Sequence, residues 1–250
     1  MRMHYLLNLL RVSAVFFYHG AIAQDSMSDS AFYQKALSNT RSVYFKNIGA
    51  NSSIYNGTAY DHYWNRVTGH PFFNTEQFLP GIINYDGTVY EDLPFVYDML
   101  QDVVVTKTFT KNADIRLETG RVRFFWIGTH YFVRLVKDSS NTSIPVNGFY
   151  EQLYAGNFRV FLKYEKKIKQ SINASDNTTS FIEYKRYYVE KNKTLHLIES
   201  EGDLLLLCND QKREIRKFLN RRDISFKKDP SKAIVQTVMY YEQLKNKYAL

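Results

Sequence analysis

From Phe149 to Tyr164 the chain reads FYEQLYAGNFRVFLKY, in which Phe158, Val160, Leu162 and Tyr164 fall on one face of an extended strand and Arg159 and Lys163 on the other. Gly156-Asn157 interrupts the run where a tight turn is expected. The same period of two recurs at Val122, Phe124 and Trp126, then after Gly128 at Tyr131, Val133 and Leu135. It returns from Phe181 to Val189 and from Thr194 to Ile198, on either side of Lys191-Asn192. Asp86-Gly87 separates Ile82-Ile83-Asn84-Tyr85 from Thr88-Val89-Tyr90, and Asn56-Gly57 separates Ile54-Tyr55 from Thr58-Ala59-Tyr60. Both dipeptides suit hairpin turns, because they tolerate the positive φ such turns need. Ser171 to Ser180, rich in Asn and Thr, reads as a loop between strands. Strands joined by short turns predict an antiparallel meander of about eight to eleven strands, wide enough to curve strongly or to close like a barrel.

The period lengthens toward helical spacing at both ends. Ser28 to about Ile48 carries Phe32, Ala36, Leu37, Tyr44 and Ile48, with Ser28 or Ser30 as a cap. Near the other end, Ser200 with Asp203 has the form of a capping box ahead of Leu204-Leu205-Leu206-Leu207. Asn209 or Asp210 is placed to cap a helix running to Asn220, and Asp229-Pro230 to open a last one with Ile234, Val238, Tyr241 and Leu244 on one face. The expected fold class is α+β: mainly an antiparallel β meander, curved or barrel-like, with an N-terminal helix and short C-terminal helices.

One apolar run does not belong to that body. Arg2 precedes the stretch from Tyr5 to Phe17, which closes on Ala21-Ile22-Ala23 before Gln24, the pattern of a secretory signal peptide cut between Ala23 and Gln24. Asn8 and Arg11 interrupt it, and no later stretch reaches the roughly 20 apolar residues of a membrane helix. The expected organisation is a signal peptide over 1–23, a body with its N-terminal helix over 24–199, and a C-terminal helical segment over 200–250 packed on that body. The expected location is periplasmic or secreted, with no transmembrane segment in the mature protein. Cys208 is the sole cysteine, so no internal disulfide forms. Beside four leucines it reads as a small buried hydrophobe, not a nucleophile.

Charge changes the picture at one place. Loss of Arg2 and Arg11 with the signal leaves 31 of the 33 Lys plus Arg against 25 Asp plus Glu. Nine basic and three acidic residues lie between Gln211 and Lys232, so the remainder of the mature chain is near neutral. Lys212, Arg213, Arg216, Lys217 and Arg221 share the helical half opposite Ile215, Phe218 and Leu219. Two readings follow: the solvated outer face of a packed helix, or a docking face for an anionic envelope surface such as lipid headgroups or acidic glycan. An exported chain with no nucleic-acid-binding motif points away from nucleic acid.

Sequence signatures of chemistry are missing: G-x-S-x-G, H-E-x-x-H, C-x-x-C, a phosphate-binding glycine loop and an EF-hand loop all fail to occur. No catalytic residue, metal ligand or cofactor is expected. His62, His70, His130 and His196 are scattered, with no pair at ligand spacing. Asp98 stands out, because in Phe95-Val96-Tyr97-Asp98-Met99-Leu100 a carboxylate must be paired or hydrogen-bonded. His70, in Gly69-His70-Pro71-Phe72-Phe73, is the other candidate polar group for a cleft. Asn-x-Ser/Thr triplets at Asn51, Asn56, Asn141, Asn173, Asn177 and Asn192 serve equally as glycan acceptors or as turn formers.

Ile54-Tyr55-Asn56-Gly57 with Tyr60 and Tyr63, Gly69-His70-Pro71-Phe72-Phe73, the stretch from Gly81 through Asn84-Tyr85-Asp86-Gly87 to Tyr90, and Leu93-Pro94 with Tyr97-Asp98 form one set of recurring landmarks. Gly148-Phe149-Tyr150, Leu153-Tyr154, Gly156, Tyr187-Tyr188 and the tail from Lys217-Phe218-Leu219 to Phe226-Lys227-Lys228-Asp229 complete them. Together they resemble an uncharacterised family of exported proteins in Bacteroidota-type bacteria. The resemblance implies a location and a shared fold, and brings no activity with it. The function expected from sequence is a non-catalytic binding or structural component of the envelope. The alternatives are a secreted hydrolase acting on glycan or peptide, signalled by a deep cleft at Asp98 or His70, and a carrier of apolar ligands, signalled by a large apolar cavity.

Overall fold

The computed structural model describes residues 49, 52–63, 67–137, 143–173 and 176–247. The signal segment and the Ser28–Ile48 helix expected from sequence lie outside them. The strands are β1 (Thr58–Ala59), β2 (Val67–Thr68), β3 (Leu79–Tyr85), β4 (Thr88–Asp98), β5 (Val103–Lys107) and β6 (Asp114–Arg116). They continue as β7 (Val122–Ile127), β8 (His130–Leu135), β9 (Gly148–Ala155), β10 (Arg159–Asn173), β11 (Asp176–Lys191) and β12 (Thr194–Ile198). Three helices follow: α1 (Glu201–Leu207), α2 (Lys212–Arg221) and α3 (Pro230–Lys247). All strands belong to one sheet in the order β1-β6-β5-β4-β3-β7-β8-β9-β10-β11-β12, with β2 alongside β11 off that path. Every pairing is antiparallel except β2 with β11.

The meander is therefore split in two, one part running from β3 to β6 and the other from β7 to β12, joined along β3 and β7. Turn chemistry fixes each local hairpin. Asp86 and Gly87 both have positive φ, 54° and 80°, so β3 and β4 meet through the mirror-image turn whose twist matches paired strands. Gly87→Val should lower stability by about 1–3 kcal/mol, through backbone strain alone because nothing crowds the position. Chemical denaturation measures that loss, and a neutral outcome would mean the turn does not hold Gly87 at positive φ.

Register shifts at Gly81/Ile83, Asn84/Tyr85 and Val160/Phe161 mark bulges that bend the sheet. At Gly81 a Cβ would stand 2.4 Å from the Trp126 carbonyl oxygen, so a side chain there would part β3 from β7. The sheet curls until Tyr97 on β4 packs against Phe132 on β8 and Phe149 on β9, with ring centroids 5.2 and 5.9 Å apart. Phe95, Phe125 and Tyr164 fill the same interior, and Phe73 closes it with its ring 5.0 Å from Tyr164. Beyond β4, the Lys166 amide on β10 donates to the Met99 carbonyl at 3.0 Å, and Phe72 bridges to Asp98. The ladder itself stays open, with β1 and β12 at its edges, so the curved form of the expected body holds and the closed barrel does not.

A second core lies between the sheet and the helices, where Val160, Val189 and Ile198 meet Leu204, Ile234 and Val238. Glu242 on α3 accepts from the Tyr154 hydroxyl and the Phe158 amide, tying the last helix to the β9–β10 turn. The capping box at Ser200 and Asp203 forms as expected, and Asp229 caps α3 by accepting from the Lys232 amide.

Four local expectations are corrected. Asn56-Gly57 makes no hairpin, because Ser53–Tyr55 is a single 3₁₀ turn and β1 pairs with the distant β6. Ser171–Ser180 belongs largely to β10 and β11, which extend as a two-stranded arm. Neither Asn209 nor Asp210 caps α2; Asp210 instead accepts from the Tyr241 hydroxyl and pairs with Lys245. Lys163, placed by alternation on the polar face, has only 9% of its side chain exposed.

Candidate functional site

The α2 helix forms because Ile215 and Leu219 recur at helical spacing and sink against Leu205, Cys208 and Tyr241. Phe218 reinforces the seat by stacking on Tyr240 at 4.2 Å. That seat turns the remaining positions outward, so Arg213, Arg216, Lys217 and Arg221 are exposed and Lys212 is half-buried. Lys217 pairs with Glu214 at 2.8 Å, and among the described residues Lys212, Arg213, Arg216 and Arg221 have no ion-pair partner. A shallow, open hollow of about 570 Å³ runs along this face, lined by Asp210, Lys212, Arg213, Arg216, Lys217 and Asn220 among others. The Tyr241 hydroxyl and Lys245 hold the Asp210 carboxyl below its usual pKa, so its charge is already balanced. The structure thus brings together all five basic residues that the sequence placed on one face, and among the described residues only Lys217 of the five forms an ion pair.

Asp98 is fully buried and saturated with donors. It accepts from the Tyr60 hydroxyl at 2.8 Å, the Leu100 amide at 2.8 Å, the Gln101 amide at 3.0 Å and the Tyr63 hydroxyl at 3.4 Å. These bonds clamp the segment after β1 onto the end of β4. His70 lies nearby in the chain path: Lys166 donates from Nζ to the His70 and Phe72 carbonyls at 2.7 and 3.1 Å. Burial and then the Lys166 charge lower the His70 pKa, which favours the neutral ring. Asp98 and His70 serve one structural junction through Lys166, and their side chains share no hydrogen bond. The sequence offered Tyr60 and Tyr63 only as landmarks and did not single out Lys166, since their partners lie far along the chain.

A further buried cluster was not foreseen. Lys163 pairs with Asp102 at 2.7 Å and donates to the Phe149 carbonyl, while the Tyr97 hydroxyl donates to Asp102 at 2.6 Å. Burial lowers the Lys163 pKa against the pull of Asp102. Cys208 is buried and its thiol is pushed up to about 12 by desolvation, an inert setting for sulfur. Among the described residues no three His, Cys, Asp or Glu side chains gather as a metal site, and no helix is long and apolar enough to cross a membrane.

No family model, curated protein or solved structure matches the chain.

Proposed function

We propose that this protein is an exported component of the cell envelope that binds without catalysis, docking on an anionic surface through the outer face of α2. One observation carries the reading: among the described residues, four of five basic side chains on one buried-backed helix make no ion pair, beside an open hollow. Such a face costs folding little and attracts negative surfaces strongly. The signal-like segment at 1–23 and the resemblance to exported proteins support the location. Asp98 spends its oxygens on four donors within the fold, which counts against a hydrolase built on it. The curled sheet is filled by aromatic rings, which counts against carriage of an apolar ligand there.

The test replaces Lys212, Arg213, Arg216 and Lys217 together by Gln and measures sedimentation with phosphatidylglycerol vesicles. At about 1 kcal/mol per basic residue near an anionic surface, association should fall by on the order of a hundredfold or more, with the melting temperature nearly unchanged. Wild-type association should weaken as salt rises, because screening cuts the reach of exposed charges to about 8 Å near physiological ionic strength. Association that survives both changes would leave α2 as a solvated cap and end this reading.

A further inference from the structure

β1 and β12 are the outer strands of the sheet ladder, and they are not alike. β1 offers only Thr58 and Ala59, too short an edge to recruit a partner. β12 runs for five residues, Thr194–Ile198, with no proline and no bulge. Asn192 and Lys193, both at positive φ, make the two-residue turn from β11 and set the pairing, so Thr194, His196 and Ile198 bond back to β11. Leu195 and Leu197 then turn their amides and carbonyls toward the open side. The Leu195 amide donates to Ser143 Oγ at 2.9 Å, whereas among the described residues the Leu197 amide and carbonyl have no partner.

Exposed apolar side chains flank this edge on both faces. Leu197, 41% exposed, shares the sheet face of Leu195 and Tyr188. The α1 helix covers the opposite face, where Leu204 packs with Ile198, and its Leu206 is left 71% exposed, more than any other large apolar residue described. At the edge a hollow of about 570 Å³ is lined by His196, Leu197, Asp203, Leu206 and Leu207 among others. A strand laid along β12 would cover Leu197 on one face and Leu206 on the other. Charge is divided along the same line, with Lys193 at the start of β12 and Glu199 and Glu201 just past its end. All three are exposed, and among the described residues none forms an ion pair.

We infer that this edge joins a second copy of the chain, β12 against β12 in antiparallel order. An antiparallel pair of identical strands has two-fold symmetry, so one patch serves both copies and the contact closes as a dimer. Charge selects this occupant. With the two-fold at Leu197, Lys193 of each copy runs alongside Glu199 and Glu201 of the other, whereas parallel addition would set like charges together. The Leu197 amide of each copy donates to the Leu197 carbonyl of the other, and the two Leu197 side chains meet on one face. The two-fold runs normal to the sheet, so both α1 helices, each with its Leu206, lie over the opposite face. Ser143 already holds the Leu195 amide, so burial of the leucines and the charged ends carry the contact. No residue of α2 lines this hollow, and the inference stands independently of the docking reading.

Sedimentation equilibrium of the purified protein tests it. The wild type should dimerise at micromolar concentrations. Leu206→Glu, at an exposed position, should weaken dimerisation by about tenfold or more while leaving the circular dichroism spectrum unchanged. Lys193→Glu and Glu199→Lys should each weaken it severalfold, and the double variant should recover it, because each copy then presents the same pair reversed. The α2 variant carrying four Gln residues should dimerise as the wild type does. A wild type that stays monomeric at about 100 µM would leave the edge to a strand of a different protein and overturn the assignment. A dimer untouched by Leu206→Glu, or charge reversals left unrepaired in the double variant, would overturn it equally, whatever the outcome with vesicles.

Discussion

Raising the pH above 10 should unfold this protein cooperatively within about one to two pH units. Tyr60, Tyr97, Tyr150 and Tyr164 are each at least 92% buried and have pKa values raised from the ordinary 10.0. Burial is the main cause in all four, followed by the neighbouring Asp98 for Tyr60, Asp102 for Tyr97, Tyr188 for Tyr150 and Glu151 for Tyr164. Unfolding frees these phenols to ionise near pH 10, whereas the folded state keeps them protonated to higher pH. The native state therefore binds more protons above 10, and its stability is whole below that pH and falls as pH rises.

Each such phenol removes about 1.4 kcal/mol per pH unit, so four remove roughly 5–6 kcal/mol per unit, against total stabilities of about 5–15 kcal/mol. Lys163 and Lys166 act with the opposite sign, because burial lowers their folded pKa from 10.5 and the unfolded chain holds the additional protons as pH approaches that value. Two groups do not offset four. Far-ultraviolet circular dichroism should be lost together with the last step of phenolate absorbance, that of the buried rings. Complete phenolate formation with the dichroism intact would show that these rings are open to solvent.

Features that depend on neighbours in sequence were legible. The Asp86-Gly87 turn, the break after Lys191, the Ser200–Asp203 box and the apolar face of α3 all need only residues within a few positions. The five cations of α2 were legible for the same reason, since helical spacing alone assigns their face. Long-range pairing was not. Nothing near Thr58 announces β6, and the β3–β7 seam depends on register between segments separated by three other strands. Lys163 misled because β10 is buried on both faces there, with Phe161 on one and Leu162 and Tyr164 on the other, and its carboxylate partner, Asp102, lies far up the chain. The Ser/Asn/Thr-rich tip of the β10–β11 arm read as a loop because it lacks the apolar period that marks a strand with one buried face.

Asp98→Ala should cost about 3–5 kcal/mol, enough to unfold a marginal domain at ambient temperature. The carboxylate was conspicuous within an apolar run, and the fold answers it with donors rather than with a cleft. Removing it strands the Leu100 and Gln101 amides and the Tyr60 hydroxyl without an acceptor, at about 1–3 kcal/mol for each group that water cannot reach. It also removes a negative charge that favours the ammonium of Lys166, itself half-buried and holding the His70 and Phe72 carbonyls. Asp98→Asn keeps one oxygen for the two backbone amides, and its new N–H₂ finds an acceptor in the Tyr60 hydroxyl, so a smaller loss of about 1–2 kcal/mol is expected. Urea titrations of the wild type and both variants, at constant slope, separate these values. Asp98→Ala within about 1 kcal/mol of wild type would mean the donors are met without Asp98, and would restore that carboxylate as a candidate for chemistry.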